Sequence, residues 1–132
     1  MTPGRFSFRF GGAAVDGNDQ AYHLVGLGVL VLNPDGTVGG TQSSTITKLV
    51  GAGCQLVYTK NTLSGTFQFA GDGTGNATIV FTSANEVLTG TFDFVLAPDE
   101  NRFWMISTGA KITSMQGILA DEVVSGEAVR LA

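Results

Sequence analysis

Turn signals recur along this chain about every ten residues, and that rhythm constrains the fold more than any other feature. DGND (16–19), NPDG (33–36), GAG (51–53), GDGTG (71–75), SAN (83–85), APDEN (97–101) and ADE (120–122) punctuate runs rich in Thr, Val, Phe and Ile. None of these runs shows a convincing 3.6-residue hydrophobic period, and several alternate apolar with polar residues, as a half-buried strand does. The pattern predicts strands over 5–15, 21–32, 37–49, 62–70, 76–83, 87–97, 102–110 and 122–131. The stretch 50–61 reads as the longest irregular link, with Cys54–Tyr58 as a further short strand or one helical turn.

Short connections make sequential strands antiparallel neighbours. Eight such strands in an open sheet leave two bare edges, and closing the sheet removes both. The expected fold is all-β, a single domain over 1–132 built as an eight-stranded antiparallel up-and-down (meander) β-barrel. A Greek-key β-sandwich is the alternative. It needs a long crossover, for which only 50–61 or 109–121 could serve.

An internal echo supports the meander. LSGTFQF (63–69) and LTGTFDF (88–94) agree at five of seven positions, and VSGEAVRL (124–131) is a weaker third copy. Leu63, Gly65, Phe67 and Phe69 share one face, as do Leu88, Gly90, Phe92 and Phe94, while Thr66, Gln68, Thr91 and Asp93 take the other. A glycine inside such a strand marks the sharp bend that a barrel wall requires. Phe6, Phe8 and Phe10 alternate with Ser7 and Arg9 in the first strand, and Ala77, Ile79 and Phe81 form the inner face of the fifth. Seven of the nine Phe thereby converge inward from the first, fourth and sixth strands. At about 25 cal/mol per Å² of apolar surface, such rings dominate the folding free energy.

Two strands break the alternation. AYHLVGLGVLVL (21–32) is apolar on both faces, with Leu24, Leu30 and Leu32 against Val25, Leu27, Val29 and Val31. In the seventh strand Phe103 and Met105 oppose Trp104 and Ile106. The outer faces of 21–32 and 102–110 therefore call for a cover, either the segments 50–61 and 109–121 or a second copy in a homo-oligomer.

The stretch GTQSSTIT (40–47) is the reverse case, a polar strand in a chain that is 43% hydrophobic. If Val38 and Ile46 point inward, Gln42 and Ser44 face the lumen between them. Their buried amide and hydroxyl then need partners, which Tyr58, water or a bound ligand would supply. Otherwise the strand is exposed and only Val38 and Ile46 anchor it. An eight-stranded barrel is just wide enough to be filled by side chains or to hold one small ligand. The candidate ligand-binding residues are accordingly Gln42, Ser44, Tyr58, Phe8, Phe67, Phe92 and Phe94.

Several classes of chemistry lack their residues. His23 is the single histidine and no G-x-S-x-G elbow occurs, so no catalytic residue is assigned. One His and one Cys make no metal set, and no P-loop or G-x-G-x-x-G is present, so no metal or cofactor is expected. Glu127 and Asp93 fall on outward positions. Seven basic residues scattered singly in a chain of net charge −4 make no nucleic-acid footprint. Cys54 is alone, which fits a reducing compartment or an exported domain without disulfides. The start MTPGRFSFRF has no signal-peptide run, and no segment approaches the ~18 apolar residues of a membrane span. A mature domain behind a new Met would look the same, so the compartment stays open between the cytoplasm, as the chain is given, and export.

The strand–turn pattern, the DGTG hairpin (72–75), the repeated [LV]-[ST]-G-T-F and the ending VVSGEAVRL (123–131) resemble small bacterial calycin-like barrels of uncharacterised function. More remotely the chain is similar to the allene oxide cyclase-like barrel group, which includes dirigent-type proteins. It lacks the paired Trp of avidins and the G-x-W start of lipocalins, so the resemblance implies a fold and transfers no catalytic residue.

Three functions are compatible with these residues. The lumen binds a small apolar molecule, as a non-enzymatic carrier or sensor; or it confines a flexible substrate for a cyclase or isomerase; or it is filled, and the barrel serves as a structural or interaction module. A cavity of roughly a few hundred Å³ separates the first two from the third.

Overall fold

A computed structural model describes residues 3–15, 21–50, 53–84, 86–114 and 121–131. Eight strands follow in order: β1 (Gly4–Val15), β2 (Ala21–Leu32), β3 (Thr37–Val50), β4 (Gly53–Phe69), β5 (Thr74–Thr82), β6 (Glu86–Leu96), β7 (Arg102–Ser114) and β8 (Asp121–Arg130). Each pairs antiparallel with the next, and β8 returns to β1, from Phe6 opposite Arg130 to Val15 opposite Asp121. The sheet is closed, so the meander barrel forms and the sandwich alternative is not needed. The DGND turn, the tip of GAG and the side chain of Cys54 lie outside the described residues.

One expectation is corrected. Residues 53–61 are not an irregular link but the first half of β4, paired with β3 up to Val50 opposite Gly53. Their composition looks unlike a core strand because their partner is the polar β3. Outward pairs such as Ser43–Lys60 and Thr45–Tyr58 have no apolar surface to cover. β5 joins β4 only from Thr62 onward, so this hairpin rises past the barrel wall. β7 is likewise longer than expected, reaching Ser114 beside β6 after a bulge at Thr108. Its ladder with β8 stops at Ile106, where the backbone N–H of Val124 donates to Ser107 Oγ at 2.8 Å.

All nine Phe belong to the interior: six are buried and Phe10, Phe67 and Phe69 pack against them. Outward Thr66, Gln68, Thr91 and Asp93 are exposed, as alternation requires. The echoed glycines do different jobs. Gly65 has φ +141°, and a Cβ there would lie 2.0 Å from the Thr78 carbonyl oxygen, so it is a true bend. Gly90 is instead overlain by the Phe92 ring, 2.8 Å from where its Cβ would stand. Gly26 sits under the Phe10 ring in the same manner, an aromatic covering the gap that a glycine leaves in the wall.

The two ends of the barrel differ. One carries three tight turns in which Asp35, Asp72 and Asp99 accept the backbone N–H two residues on, from Thr37, Thr74 and Asn101. The Thr37 and Thr74 hydroxyls also donate to Asp35 and Asp72, which holds both carboxyls below the usual aspartate range. Beneath these turns the lumen is packed: Phe94 meets Phe69 and Phe103 at centroid distances of 4.5 and 5.6 Å, and Phe103 meets Phe6 at 5.1 Å. The guanidinium of Arg130 covers the Phe6 ring at 4.6 Å and donates to the carbonyls of Pro3 and Glu100. This end is plugged.

Candidate functional site

The opposite half of the barrel is not filled. A cavity of about 90 Å³ lies inside the ring of strands, and all eight contribute to its lining. Phe8, Phe10, Phe81 and Phe92 form the aromatic part of its wall, and aliphatic side chains from the surrounding strands, Leu63 and Met105 among them, form the rest of the apolar lining. The volume is several times the roughly 10–15 Å³ that one water needs. It is well below the roughly 300 Å³ at which pockets for drug-sized molecules begin. A single ring or a short alkyl chain matches it.

Polar groups enter from one side. Strand β3 points Val38, Gln42, Ser44 and Ile46 inward, so the parity question raised by the polar strand resolves toward the lumen. Its inward residues face inward residues of β4 in register, Gln42 opposite Asn61 and Ser44 opposite Thr59. The two glycines Gly26 and Gly28 of β2 stand beside Ser44 and Gln42 on the other flank, where a Cβ on Gly28 would collide with the β3 backbone. Gln42 is thus pressed between a glycine strand and the β4 side chains.

Its amide is only half satisfied. Gln42 Nε2 donates to Asn61 Oδ1 at 3.1 Å. The side chain is 7% exposed, and Oε1 accepts no hydrogen bond from any described protein group. Leaving a buried acceptor unpaired costs roughly 1–3 kcal/mol, so the position is one where stability has been given up.

No protein-family model, curated protein or solved structure matches the chain.

The expected site residues divide into three groups. Gln42, Ser44, Phe8 and Phe92 line the cavity. Phe67 and Phe94 point inward but belong to the packed half near Phe69 and Phe103, because the strand direction carries them toward the plugged end. Tyr58 is corrected to the outer surface. It is 61% exposed, and its hydroxyl donates to Ser43 Oγ at 3.2 Å, both side chains being of the outward parity. Asn61, Thr59 and Ser107 line the cavity without having been singled out. Asn61 and Thr59 alternate with Lys60 and Thr62, and that period of two was the signal once 53–61 is taken as strand.

The chemistry available is narrow. Among the described residues, no Asp, Glu, His, Cys, Lys, Arg or Tyr lines the cavity, and no cluster of three or more metal-ligating side chains exists. His23 is exposed on β2. Glu127 takes its outward place and pairs with Arg9 across β8 and β1, an exposed contact worth little.

Proposed function

We propose that this protein is a non-enzymatic carrier or sensor of a small apolar molecule held in the open half of the lumen. The observation that carries this reading is the unequal filling of the barrel. Rings close one half, while the other keeps an apolar cavity with a buried amide at its side. A barrel serving only as a scaffold gains stability by filling that space. The size favours a ligand no larger than one ring or a short chain. The cyclase or isomerase reading is supported less well, since about 90 Å³ is too little to enclose a flexible substrate and no titratable group among the described residues faces it. Kinship with calycin-like or allene oxide cyclase-like barrels rests on the meander closure and on the sequence motifs. Native mass spectrometry of freshly purified protein tests the carrier reading. A co-purifying mass of one-ring size, lost on mild activation, is expected, and the same bare mass from every host and medium argues for a structural barrel.

The outer surface supports a second copy as partner. Two rows run across β7, β8, β1 and β2: Trp104–Glu127–Arg9–Leu27 and Ile106–Ser125–Gly11–Val25. Their apolar ends are exposed, 57% for Ile106 and 64% for Leu27. Between them Gly11, Ser125 and Gly126 floor a shallow groove beside the Arg9–Glu127 pair. β4, from Gly53 on, does not cover this face, since it lies across the barrel. One cation next to one anion at the centre is self-complementary under a two-fold axis, which sets each Arg9 against the other copy's Glu127.

A further inference from the structure

Resting on the carrier reading, we infer that the ligand is an uncharged hydrogen-bond donor, a neutral phenol or alcohol, whose hydroxyl donates to Gln42 Oε1. Three observations converge on this. Oε1 is the one buried side-chain oxygen or nitrogen among the described residues that lacks a partner, and it belongs to a residue that lines the cavity. In the same amide Nε2 is taken up by Asn61 Oδ1, so Oε1 is the atom left to pair. Finally, the polar lining is gathered on the β3–β4 side, where Ser44, Thr59 and Asn61 stand with Gln42 and only Ser107 lies elsewhere, on β7, so the hydroxyl of a one-ring ligand is steered to that side while the ring meets Phe8, Phe81 and Phe92.

The same lining rejects charge. No cation faces the cavity among the described residues, so a carboxylate would be buried without a counter-ion and would confront Oε1, another acceptor. Fatty-acid and benzoate-like anions are therefore disfavoured, and an ether or ketone, which offers only an acceptor, leaves Oε1 unpaired and draws only on the hydroxyls of Ser44, Thr59 and Ser107. An ammonium loses most of its hydration for a single acceptor.

Four probes of similar shape separate these possibilities: phenol, toluene, anisole and benzoate, titrated at neutral pH and followed by calorimetry or methyl NMR. Phenol is expected to bind more tightly than anisole, although transfer from water alone favours anisole. Benzoate is expected not to bind. Gln42→Leu is expected to weaken phenol about tenfold, the factor that ~1.4 kcal/mol gives, while toluene binds equally well or better. If toluene binds the native protein and anisole matches or beats phenol, the donor assignment is overturned while the carrier reading stands. If none of the four binds, both fall. The ranking in the native protein decides the matter even if the variant does not fold.

Discussion

Gln42 and Asn61 face each other across β3 and β4, and their side chains share one hydrogen bond of 3.1 Å that uses the amide nitrogen of Gln42 and leaves its carbonyl unpaired. That bond engages the one buried side-chain amide among the described residues of a largely apolar cavity, and the unpaired oxygen is a stability deficit written into the wall.

Gln42→Leu is therefore expected to stabilise the ligand-free protein, by about 1 kcal/mol, because it removes an unpaired acceptor and adds apolar volume beside Phe8. Asn61 is half-buried and recovers water when its partner goes. The melting temperature should rise by roughly 2–6 °C for a domain of this size. A fall of the same size would mean that the Gln42–Asn61 bond is structural.

The two echoed glycines should respond differently. Gly65→Ala meets both a left-handed φ and the Thr78 carbonyl, so a loss of about 3 kcal/mol or more is expected. Gly90→Ala meets the edge of the Phe92 ring, which can move a few tenths of an ångström into the cavity, and should cost about 1–2 kcal/mol. Equal losses in urea titrations would show that the echo is functionally uniform and that the bend at Gly65 is not special.

Acid should act on the turns rather than on the cavity. Asp35 and Asp72 are held below the usual aspartate range by their Thr hydroxyl and backbone partners. A carboxyl whose folded pKa is lowered adds stability that is fully present above its unfolded value and is lost as pH falls through the folded one. Denaturation midpoints should hold from about pH 8 to about pH 5 and drop below about pH 4. The drop should be smaller in an Asp35→Ala, Asp72→Ala variant. Ligand affinity should stay flat across the neutral range, since no titratable side chain among the described residues lines the cavity.

The outer face predicts self-association. Leu27→Glu with Trp104→Glu is expected to convert a dimer to a monomer in sedimentation velocity without changing the circular dichroism spectrum. A native protein that is strictly monomeric at tens of micromolar by mass action contradicts the interface outright.

The sequence made the barrel legible because turns and alternation are local signals. Glycine-rich turns set the strand count, and parity placed Phe8, Phe92, Gln42 and Ser44 on the inside. The boundary at 50–61 was hidden because a strand paired with polar β3 carries no apolar alternation of its own, and with it Asn61 and Thr59 were lost and Tyr58 drawn inward. Arg130 was hidden for a different reason: it occupies an inward position at the plugged end, where only the assembled turn supplies the carbonyls of Pro3 and Glu100. Which Phe fill the lumen and which bound a cavity depends on their height along the barrel, and that follows from the register rather than from any residue taken singly.

Methyl NMR during a toluene titration asks directly whether the open half of the lumen admits an apolar molecule. An accessible lumen gives saturable shifts at Ile46, Leu63, Ile79, Leu88 and Met105, which line the cavity, with Val25, Leu27, Val95 and Ile106 on the outer face unmoved. Lumen methyls that stay fixed up to the solubility limit of toluene would contradict it and leave a barrel with a closed, structural core.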